Sequence, residues 1–261
     1  MYKITMSECM IQYYQNLGQD FQEYAANKKE IYTHNKPFPH IVIDNYFSEE
    51  VLDSLLEEFP DPESNVWHSS NQESVQIKLR SNWENNAQVP KHTYEMINFL
   101  NSGDVLRSLS ELTGIEGLIA DPYLTGGGLN CILPGGQLAV HADGNWHDLM
   151  KVHRRVNLIL FLNKNWQTEW NGQLEFWDEK LENCERKIDP IFNRIVVFTT
   201  HDYTFHGHPA PLMCPPGESR KSLIMYYYTS YPRPQEQTSS SGVHRAEWKI
   251  THDGGVYKPI G

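Results

Sequence analysis

Two short stretches of the chain carry residue types that can bind a metal. One is His141, Ala142, Asp143; the other, far downstream, is Phe205, His206, Gly207, His208. Each adjoins a run of β-prone apolar residues, and in a strand the side chains at i and i+2 leave the same face. His141 and Asp143 can therefore present an imidazole and a carboxylate to one point. An imidazole from the second stretch completes two histidines and one carboxylate, a set that holds Fe(II) on one face and leaves other positions open for substrates. Either His206 or His208 can supply it, because both share a face of an extended segment. Phe205 reads as a strand residue and Pro209 ends the segment, which favours His206 and leaves His208 facing the substrate side.

Taken alone, His-x-Asp is a short pattern, and Asp143, Gly144 and Asn145 are also turn residues. The surroundings shift the reading. Pro134, Gly135 and Gly136 form a tight turn into a strand over 137–141, so the pair falls at a strand end, where loops open and sites form. A third residue, Arg220, opens the run Arg220, Lys221, Ser222, Leu223, Ile224, Met225, Tyr226. By alternation Arg220, Ser222, Ile224 and Tyr226 share one face, and an inward guanidinium at a strand mouth is a bidentate carboxylate receptor.

The elements that must position these residues follow from periodicity. Met10, Tyr14, Leu17, Phe21 and Tyr24 recur at helical spacing after Ser7, a cap residue, which predicts an amphipathic helix packed on its own domain. A buried-type strand over 40–44 follows. Ser48 is placed to cap a helix over 48–59, stopped by Pro60 and Pro62. Residues 61–74 read as loop, and Val75, Ile77 and Leu79 alternate with Gln76, Lys78 and Arg80 as a half-exposed strand. Helices over 90–114 end at Gly114, which suits the C′ position. From 118 to 229 short apolar runs are punctuated by Gly, Pro and Asn, the pattern of a sandwich or barrel-like double sheet, with the helices on one face. Thr125, Gly126, Gly127 and Gly128 read as a turn; no Gly-Lys-Ser/Thr follows, so they are not a phosphate loop. The chain divides into an N-terminal helix over 1–36, a domain over 37–230, and an irregular tail over 231–261 in which Trp248, Ile250, Val256 and Tyr257 pack in part.

With 261 residues and 39% hydrophobic content a sizeable core can form. The net charge of −11 argues against nucleic acid, which needs a basic face, and favours a cationic or neutral partner. The N-terminus has no apolar signal segment, and no run of about 18 apolar residues occurs. These features predict a soluble, cytoplasmic protein with no membrane partner. Cys9, Cys131, Cys184 and Cys214 are scattered and are expected to be free thiols. Oligomeric state has no signature here.

The order His-x-Asp, distal His, Arg-led strand resembles the 2-oxoglutarate- and Fe(II)-dependent oxygenase superfamily, in its prolyl-4-hydroxylase-like branch. The segments 37–48, 155–163, 170–177 and 188–198 match its framing, and the resemblance spans about 37–230, densest over 126–229. It implies a mainly β fold with supporting N-terminal α-helices, a distorted double-stranded β-helix of jelly-roll or cupin-like kind. It implies His141, Asp143 and His206 as iron ligands and Arg220 as the partner of the distal carboxylate of 2-oxoglutarate. Fe(II), 2-oxoglutarate as co-substrate and O2 are the implied cofactors, with ascorbate helpful. The implied reaction hydroxylates an unactivated C–H bond and releases succinate and CO2. Asp143 itself points to hydroxylation, since related halogenases lack the carboxylate.

One departure concerns the co-substrate. Where the branch often has a tyrosine, the strand after the His-x-Asp loop offers Asn157, Ile159 and Phe161 on one face. Phe161 cannot donate a hydrogen bond, so Asn157 is the candidate second contact. The substrate class stays open between a prolyl residue of a peptide, a proline-like amino acid and another small molecule. Arg154, Tyr226, His208 and Trp146 are the candidate contacts. Two other functions use the same metal set: a non-catalytic jelly-roll metal- or ligand-binding module, and a Zn(II) hydrolase with a bound water. Neither needs a carboxylate receptor at Arg220.

Overall fold

Apolar residues at both odd and even positions of the central runs demand strands covered on both faces, and the computed structural model has that arrangement. It describes residues 6–72, 75–83, 88–239, 242–253 and 255–260; the side chains of Ser7, Cys9 and Met10 lie outside the described residues. Four helices lie N-terminal: α1 (Met6–His34), α2 (Glu49–Glu57), α3 (Lys91–Leu100) and α4 (Gly103–Thr113). Among and after them run β1 (His40–Asp44), β2 (Trp67–Gln72), β3 (Gln76–Ser81), β4 (Ile119–Ala120), β5 (Gly128–Ile132), β6 (Gln137–Ala142), β7 (Trp146–His147) and β8 (Val152–Phe161). The remaining strands are β9 (Leu174–Trp177), β10 (Cys184–Ile188), β11 (Arg194–Thr199), β12 (His206–His208), β13 (Arg220–Thr229), β14 (Glu247–Asp253) and β15 (Val256–Pro259).

The strands form one curled antiparallel sheet in the order β1-β11-β8-β13-β5-β3-β6-β12-β9-β10. The curl brings β5, β8 and β13 opposite β6, β9 and β12, so that residues of both halves line one cavity. This is the double-stranded β-helix expected from the sequence. Parity sorts the side chains. Val156, Leu158 and Leu160 of β8 and Leu223, Met225 and Tyr227 of β13 pack against Leu52, Leu109 and other helical residues. The alternate residues Ile159 and Phe161 pack between the sheets with Phe176, Val196 and Phe198. The α1 helix is tied down by polar contacts at its edge: the Tyr32 and Thr199 hydroxyls lie 2.7 Å apart, and Tyr46 donates to the Leu17 carbonyl at 2.6 Å.

Several local expectations are corrected. Ser48 makes no side-chain cap bond, whereas Ser102 accepts one from Val105 N at 3.4 Å and caps α4. Ser7 falls within α1, not before it. Gly114 closes α4 in the left-handed region at φ 71°, where a Cβ would be strained. Residues 61–74 are not all loop: Trp67–Gln72 forms β2, a polar strand with little intrinsic β propensity that exists because β3 offers it an edge. The 231–261 tail is not irregular throughout. Trp248 and Ile250 pair with His141 and Val140 on the free edge of β6, and β15 folds back on β14.

β3 bridges the two halves, pairing with β5 on one side and β6 on the other. Its polar residues Gln76 and Lys78 face the cavity, while Ile77 is 40% exposed. Cys131, Cys184 and Cys214 are free, and no helix among the described residues is long and apolar enough to cross a membrane. Helix-to-sheet packing should dominate stability. Leu109→Ala, at a fully buried site, is expected to lower unfolding free energy by about 2–5 kcal/mol in urea denaturation. Ile77→Ser should change it by no more than about 0.5 kcal/mol.

Candidate metal centre and active site

β6 and β12 lie side by side with His206 directly opposite His141. A register shift follows, so His208 stands opposite Leu138 instead. This bulge separates the two histidines that strand parity alone puts on one face. The His141 and His206 rings are 4.6 Å apart between centroids. Each Nδ1 donates to a backbone carbonyl two residues earlier, His141 to Ala139 at 2.9 Å and His206 to Thr204 at 3.0 Å. That fixes the tautomer and leaves both Nε2 atoms as acceptors. Asp143, just past the end of β6, lies 3.5 Å from each Nε2, through Oδ1 to His141 and Oδ2 to His206. Among the described residues these three form the one group able to hold a metal ion, with ligand atoms all within 4.8 Å of one another. His208 is outside it.

The carboxylate is oriented from β8. Asn157 Nδ2 donates to Asp143 Oδ2 at 2.6 Å, and Arg154 Nη1 lies 3.1 Å from Oδ1. Burial alone would raise the Asp143 carboxyl, but Arg154 and the two histidines beside it hold it well below the usual carboxylate range. Burial pushes His206 down to about 4, with a further push from His141. At neutral pH His206 is thus a neutral imidazole and Asp143 a carboxylate, the protonation a divalent metal requires of such ligands. Trp248 of β14 covers His141 at 4.9 Å between ring centroids.

Behind this set lies a cavity of about 130 Å³. Arg220 sits in its wall, 4% exposed, with Nε donating to the Gly172 carbonyl at 2.8 Å and the guanidinium 4.9 Å from the Phe161 ring centre. It has no acidic partner among the described residues, and burial pushes it down to about 9. Lys78, half-buried on β3, lines the same cavity and is pushed by burial down to about 8. His208 faces it too, held well below its ordinary value by burial and then by Arg220 and Lys78. Several buried polar atoms of this lining have no hydrogen-bond partner among the described residues: Asn130 Oδ1, Asn157 Oδ1, Ser222 Oγ and both ring nitrogens of His208. Native interiors leave few such atoms unpaired. A small polar ligand in this cavity suits them, and the donor set beside it suits Fe(II).

The other sequence candidates lie toward the mouth. The Arg154 guanidinium stacks on Tyr226 at 3.7 Å, while Trp146 packs edge-on against His153 and borders the opening. Asn157 spends a donor on Asp143, so its first role is to orient the carboxylate. Lys78 and Trp248 were not singled out by chemistry in the sequence. The one signal for Lys78 was its place in the alternation of β3, and the tail strand bearing Trp248 had none beyond its apolar residues. The C-terminal segment is anchored beside the mouth by buried Asp202, which accepts from Arg233 Nη1 at 2.5 Å and pairs with His244 Nε2 at 2.8 Å.

The chain combines a double-stranded β-helix with one set of two histidines and a carboxylate able to hold a metal ion. Residues 127–228 match the family model of the 2OG-Fe(II) oxygenase superfamily. No curated protein matches the chain in sequence. Many solved structures share its fold, three prolyl hydroxylases among them. A prolyl hydroxylase from Trichoplax adhaerens, in complex with a hypoxia inducible factor oxygen degradation domain peptide fragment, aligns with TM-score 0.55 and 18% identity over 80% of this chain and 91% of that one. A Pseudomonas putida prolyl-4-hydroxylase gives 0.54 and 17% over 80% and 98%. A prolyl 4-hydroxylase from Phytophthora capsici gives 0.54 and 20% over 83% and 65%. Over residues 127–228 the chain thus resembles the 2OG-Fe(II) oxygenases, and it is prolyl hydroxylase-like in fold.

The His206→Ala variant is expected to lose tight Mn(II) or Fe(II) uptake and His208→Ala to keep it, as read by metal analysis after desalting. The buried histidines also set an acid limit. His201, pushed by burial and Arg233 down to about 4, and His206 stay neutral in the folded chain when the unfolded chain takes up protons near pH 6.5. The metal-free protein should therefore lose stability as pH falls from about 6.5 toward 4, by about 1.4 kcal/mol per pH unit for each such histidine. Denaturant midpoints across that range check it.

Proposed function

We propose that this oxygenase hydroxylates an unactivated C–H bond of a proline-like substrate, free or peptidyl, with 2-oxoglutarate as co-substrate. One observation carries the reading: a single cavity has a three-ligand metal set at one end and, elsewhere in its wall, a buried guanidinium with no acidic partner among the described residues. 2-Oxoglutarate has the matching chemistry, a chelating 2-oxo acid at one end and a carboxylate at the other. His141, Asp143 and His206 would hold Fe(II), and Arg220 would take the distal carboxylate in a charge-assisted pair. Neither a Zn(II) hydrolase nor a metal-bearing structural module has a use for Arg220. That three of the solved structures sharing the fold are prolyl hydroxylases supports the substrate class.

Bound iron supplies the activation of O2 that oxidises the C–H bond. The overall change balances as R–H plus 2-oxoglutarate plus O2 giving R–OH, succinate and CO2. The chain's own residues supply the geometry. Asn157 and Arg154 hold the Asp143 carboxylate. The backbone acceptors at Ala139 and Thr204 hold both imidazoles in the ligating tautomer. Ile159, Leu174 and Ile224 give the cavity apolar walls that keep water from the oxidising centre. Phe161 cannot hydrogen-bond the co-substrate; it seats the Arg220 guanidinium on its ring face. Lys78 and His208 line the same cavity as Arg220 and would provide the second contact to the distal carboxylate.

Succinate release with Fe(II), ascorbate and 2-oxoglutarate, screened against free amino acids and proline-containing peptides, tests the reaction. Anaerobic Fe(II) plus 2-oxoglutarate should give a charge-transfer band, and its absence together with no 2-oxoglutarate binding would sink the reading. Arg220→Ala should weaken 2-oxoglutarate binding about 10- to 100-fold, the loss of one charged hydrogen-bonded partner. Lys78→Met should weaken it less, with metal affinity kept in both.

A further inference from the structure

The glycine-rich segment Thr125, Gly126, Gly127, Gly128 plays no part in the reaction as derived, yet its bareness is required. Gly126 and Gly128 adopt φ of 81° and 84°. A Cβ on Gly127 would stand 2.7 Å from the Ile224 carbonyl oxygen, and one on Gly128 would stand 2.6 Å from Ser81 Oγ. At Gly126 the neighbours are different in kind. A carbon there would meet Tyr226 Cε2 at 3.4 Å, Arg80 Nη1 at 3.6 Å and Arg154 Nη2 at 3.9 Å. Two guanidinium groups from separate strands, β3 and β8, thus flank one bare backbone position over the Tyr226 ring, at the mouth of the cavity.

Their charge is poorly balanced. Arg154 engages Asp143 through Nη1, and its buried Nε has no hydrogen-bond partner among the described residues. Arg245 of the C-terminal segment and Asp148 also line this opening. Further in, Lys78 and Arg220 add two cations, and Asp143, which pairs with Arg154 and attracts Lys78, is the anion set among them. Fe(II) and the 2-oxoglutarate dianion cancel one another, so a loaded site keeps the surplus. Like charges gathered in a partly desolvated cleft repel unless an anion joins them. The chain is acidic overall at −11, so this cluster runs against its general surface charge.

We propose that Arg80 and Arg154, with Gly126 bare between them, form an anion cradle that holds a carboxylate or phosphate group carried by the substrate. The proposal rests on the 2-oxoglutarate/Fe(II) reading of the cavity and adds the substrate's charge. Forked N–H donors match the paired oxygens of either group, whereas an internal peptide carbonyl is neutral. The cradle therefore favours a free acid, such as a proline-like amino acid, or a phosphorylated small molecule over an internal prolyl residue.

The test needs no turnover. The protein is loaded with Mn(II) and 2-oxoglutarate, and Mn(II) uptake is followed by electron paramagnetic resonance. Inorganic phosphate and [13C]acetate are then added in separate samples, and paramagnetic broadening of their 31P and 13C lines is measured. At least one anion should broaden saturably in the wild-type protein. The effect should fall several-fold in Arg80→Gln and be largely kept in Arg80→Lys, which preserves the charge and guards against a folding defect. The anion that broadens at the lower concentration identifies the carboxylate or the phosphate as the group recognised. No saturable broadening, or broadening untouched by Arg80→Gln, overturns the cradle. Failure of Mn(II) or 2-oxoglutarate to bind appears before any anion is added and overturns the underlying reading instead.

Discussion

A buried carboxylate organises this protein. Removing Asp143 from water costs several kcal/mol unless its oxygens are paired, and the chain pairs them from three strands. Asn157 and Arg154 approach from β8, His141 from β6 and His206 from β12. Each partner is in turn fixed: the imidazoles by backbone carbonyls, Arg154 by the Tyr226 ring. The halves of the curled sheet therefore meet at a charge, and the geometry a metal needs is the one that keeps this carboxylate satisfied.

The distribution of the ligands over distant segments explains the supporting architecture. β8 and β13 must turn polar residues inward at Asn157, Arg220 and Ser222 while their alternate residues hold the helices. That two-sided use needs the helical layer of α1 to α4 on the outer face. The inner face needs closure, and closure comes from two further strands, β3 within the sheet and β14 off its main path. β3 bridges β5 and β6 and brings Lys78 inward; β14 covers the free edge of β6 and brings Trp248 over His141. Both shape the site without belonging to its metal ligands. The anchoring of the C-terminal segment through Asp202 extends this closure to the mouth, where Arg245 and Asp148 border the opening.

Phe161 illustrates how a local departure is absorbed. A phenyl ring cannot hydrogen-bond a carboxylate, but it can carry a guanidinium on its face, and Arg220 lies there. With no acidic neighbour among the described residues, Arg220 is held by one carbonyl bond and a ring, an arrangement that makes sense for a side chain whose partner is a ligand.

Much of this was legible without coordinates. Strand periodicity alone put His141 with Asp143, and Arg220 with Ser222, Ile224 and Tyr226, on common faces, because a side-chain period of two is a local property of the backbone. The apolar runs of β8, β11 and β13 and the stop at Gly114 were equally local. What the sequence could not decide was whatever depends on pairing across the chain. His206 and His208 are equivalent by parity, and the bulge between β12 and β6 separates them. The polar strand β2 and the tail strand β14 exist because partner edges are present, not because of their own propensity. The inward turn of Lys78, and the meeting of Arg80 with Arg154 across Gly126, follow from β3 being held between two strands far away in sequence. Spacing determined which residues can act together within a strand; only the tertiary structure, through register and closure, decided which strands meet.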